Sequence, residues 1–463
     1  MKRLATPLFC AALALFSYFV IPGHTWLQQD SQIYVPILEH ERDSSVLRND
    51  ILVQRSHVAY TLYDEAAVML RAATGLGFHE VLAAQQIVTR ALGIWGLMML
   101  AESLGLAWWK AAVAAALCSL GARIVGPEVL TTEYEPTPRA FAVPLLVCAM
   151  GLASRGRWLA SGIATGAAVL YHAPTALPVI AAGLLAMRRG RLVWLACVAA
   201  ALAVVIAIGR GSGQDLFARI EPGQEALQRM RAAYVYVSMW PAWTIVRHVA
   251  IFAVLAAACV RMRQTRWLVL PAIGLLTIPL SWLLLEQWKL GLIPQIQPMR
   301  ALLFGTLAMQ LTAVCAGITA KRWWEAALWI VLAIAPSVQA LIVRYPDLHT
   351  PEIEQLSVWA RANTPKDAVF LFADSGKSLA PGVFRSEAPR AVYVDWKGGG
   401  QVNYLREFGD DWWFRWRETG GRGFHPEDLP RYGALGVRYV VLRKRMASPP
   451  VYENPGYAVY ALP

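Results

Sequence analysis

A polytopic α-helical membrane protein of about eleven transmembrane helices, carrying a small C-terminal α/β domain, is the fold class this sequence predicts. Three observations lead there. Of 463 residues, 57% are hydrophobic and 16% charged, with a mean hydropathy of +0.41, whereas soluble domains average roughly 25% charged. Apolar runs near the ~20 residues that cross a bilayer core recur over residues 1–344, and they lack the alternation of a strand barrel. After residue 344 the apolar runs give way to short amphipathic segments separated by turns.

The runs place helices at 4–22, 83–104, 109–126, 138–153, 158–172, 174–188, 192–209, 243–260, 266–285, 299–319 and 323–343. Segments such as 158–172 are short for a full span, which suits a tilted, broken or re-entrant helix. The first run follows Met1-Lys2-Arg3 and leads into Pro22-Gly23-His24-Thr25-Trp26, with no small-residue cleavage site, so an uncleaved first helix is expected. Alternate loops are short and basic: Lys2-Arg3, Arg155-Gly156-Arg157, Arg188-Arg189-Gly190-Arg191, Arg261-Met262-Arg263 with Arg266, and Lys321-Arg322. By the positive-inside rule these face the cytoplasm of a cytoplasmic (inner) membrane. The long loops 23–82, 127–137, 210–242 and 286–298 then lie outside, together with residues 345–463, and the first of them is expected to hold an interfacial helix near Tyr60–Ala73.

The net charge of +12 follows from these topogenic loops, so no nucleic-acid partner is expected. All six cysteines sit in apolar runs and read as small buried hydrophobes. In the C-terminal domain Thr350 reads as an N-cap ahead of Pro351, Glu352 and Glu354, with the helix ending before Pro365. Ala368–Ala373, Arg390–Trp396, Val437–Leu442 and Tyr457–Leu462 read as strands, and Asn403–Glu418 as a helix rich in tryptophan. Gly398-Gly399-Gly400 reads as a turn. The sequence has no Walker P-loop, nucleophile elbow or HExxH motif.

Candidate chemistry gathers at the outer mouths of the helices. Asp30 follows the first helix in Trp26-Leu27-Gln28-Gln29-Asp30-Ser31-Gln32-Ile33-Tyr34, an address suited to a catalytic base with Tyr34 beside it. Glu133 and Glu135 precede the helix at Pro138. In an extended segment residues i and i+2 share a face, so both carboxylates can look into one cavity or hold one divalent cation such as Mg or Mn; otherwise they simply stabilise a helix start. Arg139 and Arg300 sit at helix mouths, where a guanidinium binds phosphate or snorkels to headgroups. His172, in Tyr171-His172-Ala173-Pro174, suits a phosphate or metal ligand or a structural hydrogen bond. Carboxylates beside cations on one face suit transfer from a lipid-linked phosphate: the base takes the acceptor proton and the cations hold the leaving phosphate.

This layout resembles the GT-C superfamily of membrane glycosyltransferases. The resemblance rests on the acid after the first helix (Asp30), on the acid-x-acid loop Glu133-Tyr134-Glu135, and on about eleven helices with an outer C-terminal domain. The runs Leu356–Phe370, Val392–Lys397 and Val451–Tyr457 also look like those of uncharacterised bacterial members. The resemblance implies a polyprenyl-phosphate sugar donor, Asp30 as base, and Glu133 or Glu135 as metal or acceptor ligands, with a glycan, lipid or protein acceptor. The chain departs from the oligosaccharyltransferases: their W-W-D-type acceptor motif is missing, and Asp411-Trp412-Trp413 runs in reverse order. Two other classes are weighed. A transporter or flippase for a lipid-linked phosphate predicts polar rows at mid-membrane and paired half-structures. A non-catalytic scaffold with a ligand-binding tail would use Trp396, Trp412, Trp413 and Trp416, which equally suit a small core or a membrane-interface belt.

Overall fold

A computed structural model describes residues 2–55, 60–209, 217–342, 347–421 and 423–463. The start of the expected 210–242 loop and the expected domain boundary at 344–345 lie outside the described residues. Among the described residues, seven helices are long and apolar enough to cross a membrane, and the apolar helices Leu4–Phe19, Trp108–Cys118 and Pro138–Ser154 are shorter. The expected segments 158–172 and 174–188 form one continuous run, Trp158–Ala186, broken at His172, whose φ of −159° and ψ of 84° are non-helical. The chain reverses there. A Cβ on Gly190 would meet the Trp158 ring, and Trp194 packs against both Gly162 and Gly183, so the two ends of the run lie side by side. Pro174 suits the break, since it falls in the first turn after His172, where its missing N–H is one that a helix start leaves unbonded anyway. The helices Phe78–Ser103 and Pro138–Ser154 cross closely: a Cβ on Gly96 would lie 2.5 Å from the Val147 carbonyl; small residues allow backbones to approach this closely in a bilayer.

The short basic loops gather at one end, tied by the ion pairs Glu102–Arg155 and Arg261–Glu325 (2.9 Å). The long loops and the C-terminal domain gather at the other end. There the first loop forms the helices Ser31–Arg42, Ile51–Gln54 and Tyr63–Thr74. Arg123–Ile124 (β1) and Val129–Leu130 (β2) make a short antiparallel ribbon ahead of Glu133.

The C-terminal domain is a five-stranded mixed sheet. Its strands are β3 (Val369–Phe372), β4 (Ala391–Val392), β5 (Tyr439–Leu442), β6 (Tyr452–Glu453) and β7 (Ala458–Ala461), in the order β4-β3-β5-β7-β6. β3 pairs in parallel with β4 and β5, and β7 runs antiparallel to β5 and β6. Alternation splits its apolar residues between two cores. Phe370, Phe372, Val441 and Val459 face the helices Pro351–Asn363 and Ala380–Glu387, and Leu27 and Val35 of the first loop join that core. Leu371, Val440 and Tyr460 face the helix Arg406–Glu418 through Phe408, Trp412 and Trp416, joined by Ile33, Ile51, Leu52 and Leu227. Both cores therefore close only with residues from the long loops. Trp412 and Trp416 are core side chains, while Trp413 is 38% exposed.

Candidate active site

Asp30 occupies the N-cap position of the helix Ser31–Arg42, yet its side chain makes no capping hydrogen bond. Glu135 does the anchoring instead. Its Oε1 accepts from the backbone N–H groups of Gln28 and Gln29, both at 2.7 Å, and its Oε2 accepts from Ser31 N at 2.9 Å. The first-loop backbone is thus fixed to the 131–139 segment, and the Asp30 carboxylate is left to face a cavity. Burial pushes the Glu135 carboxyl up from its ordinary range, against the pull of its backbone donors.

Glu133 lies two residues earlier and bonds in a different direction. Its Oε1 accepts from Arg139 Nε at 2.6 Å and from Leu130 N at 3.3 Å. Its carbonyl accepts from Arg90 Nη2 at 2.7 Å, and Arg90 also donates to the Ser17 carbonyl (2.9 Å) and the Gly23 carbonyl (3.0 Å). Arg90 sits within an apolar helix and staples the exit of the first helix to the 131–139 loop. Sequence reading passed over it, although an arginine inside an apolar run is itself a signal.

Asp30, Tyr34, Glu133, Glu135, Arg139, His172 and Arg300 all line a single cavity of about 450 Å³ at the end of the long loops. His172 arrives at the tip of the helical reversal, with Nδ1 2.8 Å from Thr175 Oγ1. Arg300 arrives on the short turn Pro298–Ala301 that opens the helix Leu302–Ile318. Among the described residues no carboxylate pairs with Arg300, and its buried Nε has no hydrogen-bond partner. Three non-glycine residues near the cavity adopt left-handed backbone: Leu27 (φ 52°), Glu128 (φ 50°) and Gln297 (φ 45°). Such conformations cost roughly 1–3 kcal/mol each and persist where the surroundings enforce them.

The same cavity takes residues that sequence reading missed: Lys397, Gln401 and Tyr404 from the C-terminal domain, Arg231 and Tyr234 from the 217–241 loop, and Arg123 and Glu128 from the ribbon. Lys397 Nζ lies 2.7 Å from Asp30 Oδ1. Burial opposes ionisation of Asp30, but the Lys397 ammonium, with Arg139 and Arg300 further off, outweighs it and holds the carboxyl well below its usual range. Burial pushes the phenols of Tyr34 and Tyr404 up, so both are neutral. Five arginine and lysine side chains face four carboxylates. The pairs Arg123–Glu128, Arg139–Glu133 and Lys397–Asp30 are made, and Glu135 is satisfied by backbone. Arg300 and Arg231 have no carboxylate partner among the described residues. The cavity thus has the character of an anion site.

A divalent cation does not fit the carboxylates as they stand. Glu135 has both oxygens engaged by backbone donors, Glu133 is held by Arg139, and among the described residues no group of three His, Cys, Asp or Glu side chains is arranged to hold a metal ion.

Comparison with known proteins bears on the fold. Residues 351–419 match a family described as a domain of unknown function, DUF6798. No curated protein matches the chain in sequence. In structure it is similar to the arabinofuranosyltransferase AftD from mycobacteria, solved by single-particle cryo-electron microscopy, with a TM-score of 0.51 at 15% identity over 97% of this chain and 36% of that one. A mutant form of the same enzyme gives a TM-score of 0.52 at 17% identity, over 97% of this chain and 37% of that one. The chain thus spans little more than a third of the length of these structures. The likeness shows a shared fold alone.

Proposed function

We propose that the chain is a glycosyltransferase that moves a sugar from a polyprenyl-phosphate donor to an acceptor, with its cavity on the extracytoplasmic face of the cytoplasmic membrane. The observation that carries this reading is the meeting, in one cavity at the helix mouths, of the Asp30 carboxylate with Arg300, a guanidinium that pairs with no carboxylate among the described residues. The fold likeness to an arabinofuranosyltransferase supports it.

In this reading the donor phosphate sits against Arg300, with Arg139 and His172 at its flanks and the neutral Tyr34 hydroxyl as a further donor. The acceptor hydroxyl donates a hydrogen bond to Asp30. Its oxygen attacks the anomeric carbon from the face opposite the phosphate. The new C–O bond forms as the bond to the phosphate oxygen breaks; the bonding pair leaves with the phosphate and the acceptor proton passes to Asp30. The product is inverted at the anomeric carbon. Base catalysis of this kind contributes typically 10²–10⁴-fold, and fixed cations in a low-dielectric cavity stabilise the charge that grows on the leaving phosphate. Glu135 positions Asp30, and Glu133 positions Arg139. No step runs through a metal ion.

The test is to incubate membranes containing the full chain with radiolabelled polyprenyl-phosphate pentoses and hexoses, following loss of labelled lipid and appearance of labelled product. Chain-dependent transfer from at least one donor is expected. Donor binding without transfer across the panel of sugars and membrane acceptors would favour a lipid-phosphate carrier instead.

A further inference from the structure

The segment carrying Lys397 is held from several sides. Arg385, fully buried, bridges Asp50 of the first loop (2.7 Å) and Asp395 (2.6 Å). Asp395 Oδ2 accepts from Gly398 N at 3.1 Å, and its carbonyl accepts from Trp412 Nε1 at 2.9 Å. The Arg231 guanidinium lies 3.5 Å from the centre of the Trp396 ring and donates to the Trp396 carbonyl. A Cβ on Gly399 would sit 2.3 Å from the Trp412 ring, so glycine is what lets this turn settle onto the core. The backbone on both sides of Lys397 is therefore fixed, and the C-terminal domain delivers its ammonium to the Asp30 carboxylate of the membrane domain.

That contact conflicts with the role of Asp30. A carboxylate held by an ammonium at 2.7 Å is a weak base, since protonating it costs the ion pair. Lysine is suited to resolve the conflict. Its ammonium is a point charge on a flexible stem, free to exchange partners without a fixed fork to satisfy, and Arg300, which lies against the same cavity, marks where a phosphate would attract it.

We infer that Lys397 is a phosphate-responsive latch on Asp30. The donor phosphate and the Asp30 carboxylate compete for one ammonium, so arrival of the lipid phosphate draws Lys397 away and frees Asp30 to accept a proton. The base becomes competent only when a leaving group is in place, and the region matched by the domain of unknown function supplies that control. This rests on the phosphate-donor reading above.

Competition makes a prediction about sign. Binding of a short-chain polyprenyl monophosphate to the full chain in nanodiscs would be measured by titration, with inorganic phosphate in parallel to separate lipid recognition from free phosphate. Lys397→Met is expected to weaken lipid-phosphate binding about tenfold or more, the loss of one charge-assisted contact. Asp30→Asn removes the competitor and a like charge, and is expected to tighten binding roughly three- to tenfold. The double variant is expected to bind more tightly than Lys397→Met, because the like charge is gone, and more weakly than Asp30→Asn. The Asp30→Asn arm stands alone should Lys397→Met misfold. Weaker or unchanged binding by Asp30→Asn overturns the latch, as does a wild-type chain that binds neither probe. Both signs without sugar transfer from any donor would leave the latch standing and remove the glycosyltransferase reading; transfer without the signs would do the reverse.

Discussion

Arg385→Met tests how the C-terminal domain is joined to the site. The side chains of Arg385, Asp50 and Asp395 are 0%, 0% and 1% exposed, so the substitution strands two carboxylates in a core without their counter-charge. Breaking a buried pair from one side costs roughly 3–5 kcal/mol, which raises the unfolded fraction roughly 150- to 5000-fold. Asp50 also accepts from Leu52 N (3.0 Å) and Val392 N (2.9 Å), so the damage reaches both the first loop and the sheet. Tryptophan fluorescence during thermal unfolding in detergent follows it directly, because Trp412 and Trp416 lie in the adjoining core. A markedly lower transition is expected, along with reduced transfer as Lys397 loses its support. Neutralising the whole triad at once, with Asp50→Asn, Arg385→Met and Asp395→Asn combined, is expected to cost less than Arg385→Met alone. A single variant that unfolds within about 1 kcal/mol of wild type would refute the argument.

Glu135→Ala orphans three backbone N–H groups, with hydrogen bonds to charged groups worth roughly 1.5–3 kcal/mol; transfer should fall at least tenfold, and Glu135→Gln should recover part of it, as initial rates will show. Arg300→Gln should raise the donor KM far more than the acceptor KM, and equal changes in both would count against a phosphate contact. Asp64 is 8% exposed, and burial, with Glu65 and Glu41 nearby, pushes its carboxyl up to about 8. The folded state then holds a proton that the unfolded chain releases near pH 4, so stability falls as pH rises between those values. Asp64→Asn should accordingly melt higher than wild type at pH 8 and nearly level with it at pH 4, and identical melting profiles at pH 8 would show that Asp64 is not buried as described. Because Glu133 and Glu135 are already engaged, EDTA should leave the transfer rate unchanged, and recovery of a chelated enzyme by Mg or Mn would overturn that assignment of donors.

The membrane part of the site was legible in the sequence because topology did the work. Short basic loops pointed to which helix ends lie together, and a few polar side chains at the opposite ends became candidates; Asp30, Glu133, Arg139, His172 and Arg300 were among them and share a cavity. The division of labour was not legible. Glu133 and Glu135 look equivalent at i and i+2, but one meets an arginine six residues on and the other meets the backbone of a loop more than a hundred residues earlier. Lys397 and Arg231 were hidden for a related reason. They lie in segments read for local pattern, a strand end and a long loop, whereas Lys397 meets Asp30 of the first loop and Arg231 meets the Trp396 ring of the C-terminal domain. The interleaving of Leu27, Val35, Ile33 and Ile51 with the cores of the C-terminal sheet likewise leaves no periodic trace, because each comes from a short, irregularly placed stretch.

Asp30→Asn in membranes supplied with a labelled polyprenyl-phosphate sugar tests the central claim most directly. The variant keeps the shape of the side chain and removes its negative charge, and with it the ion pair to Lys397 and the capacity to take a proton. At matched expression and with lipid-phosphate binding retained, transfer should fall by roughly 10²–10⁴-fold. Transfer at the wild-type rate would contradict the assignment of Asp30 as the base.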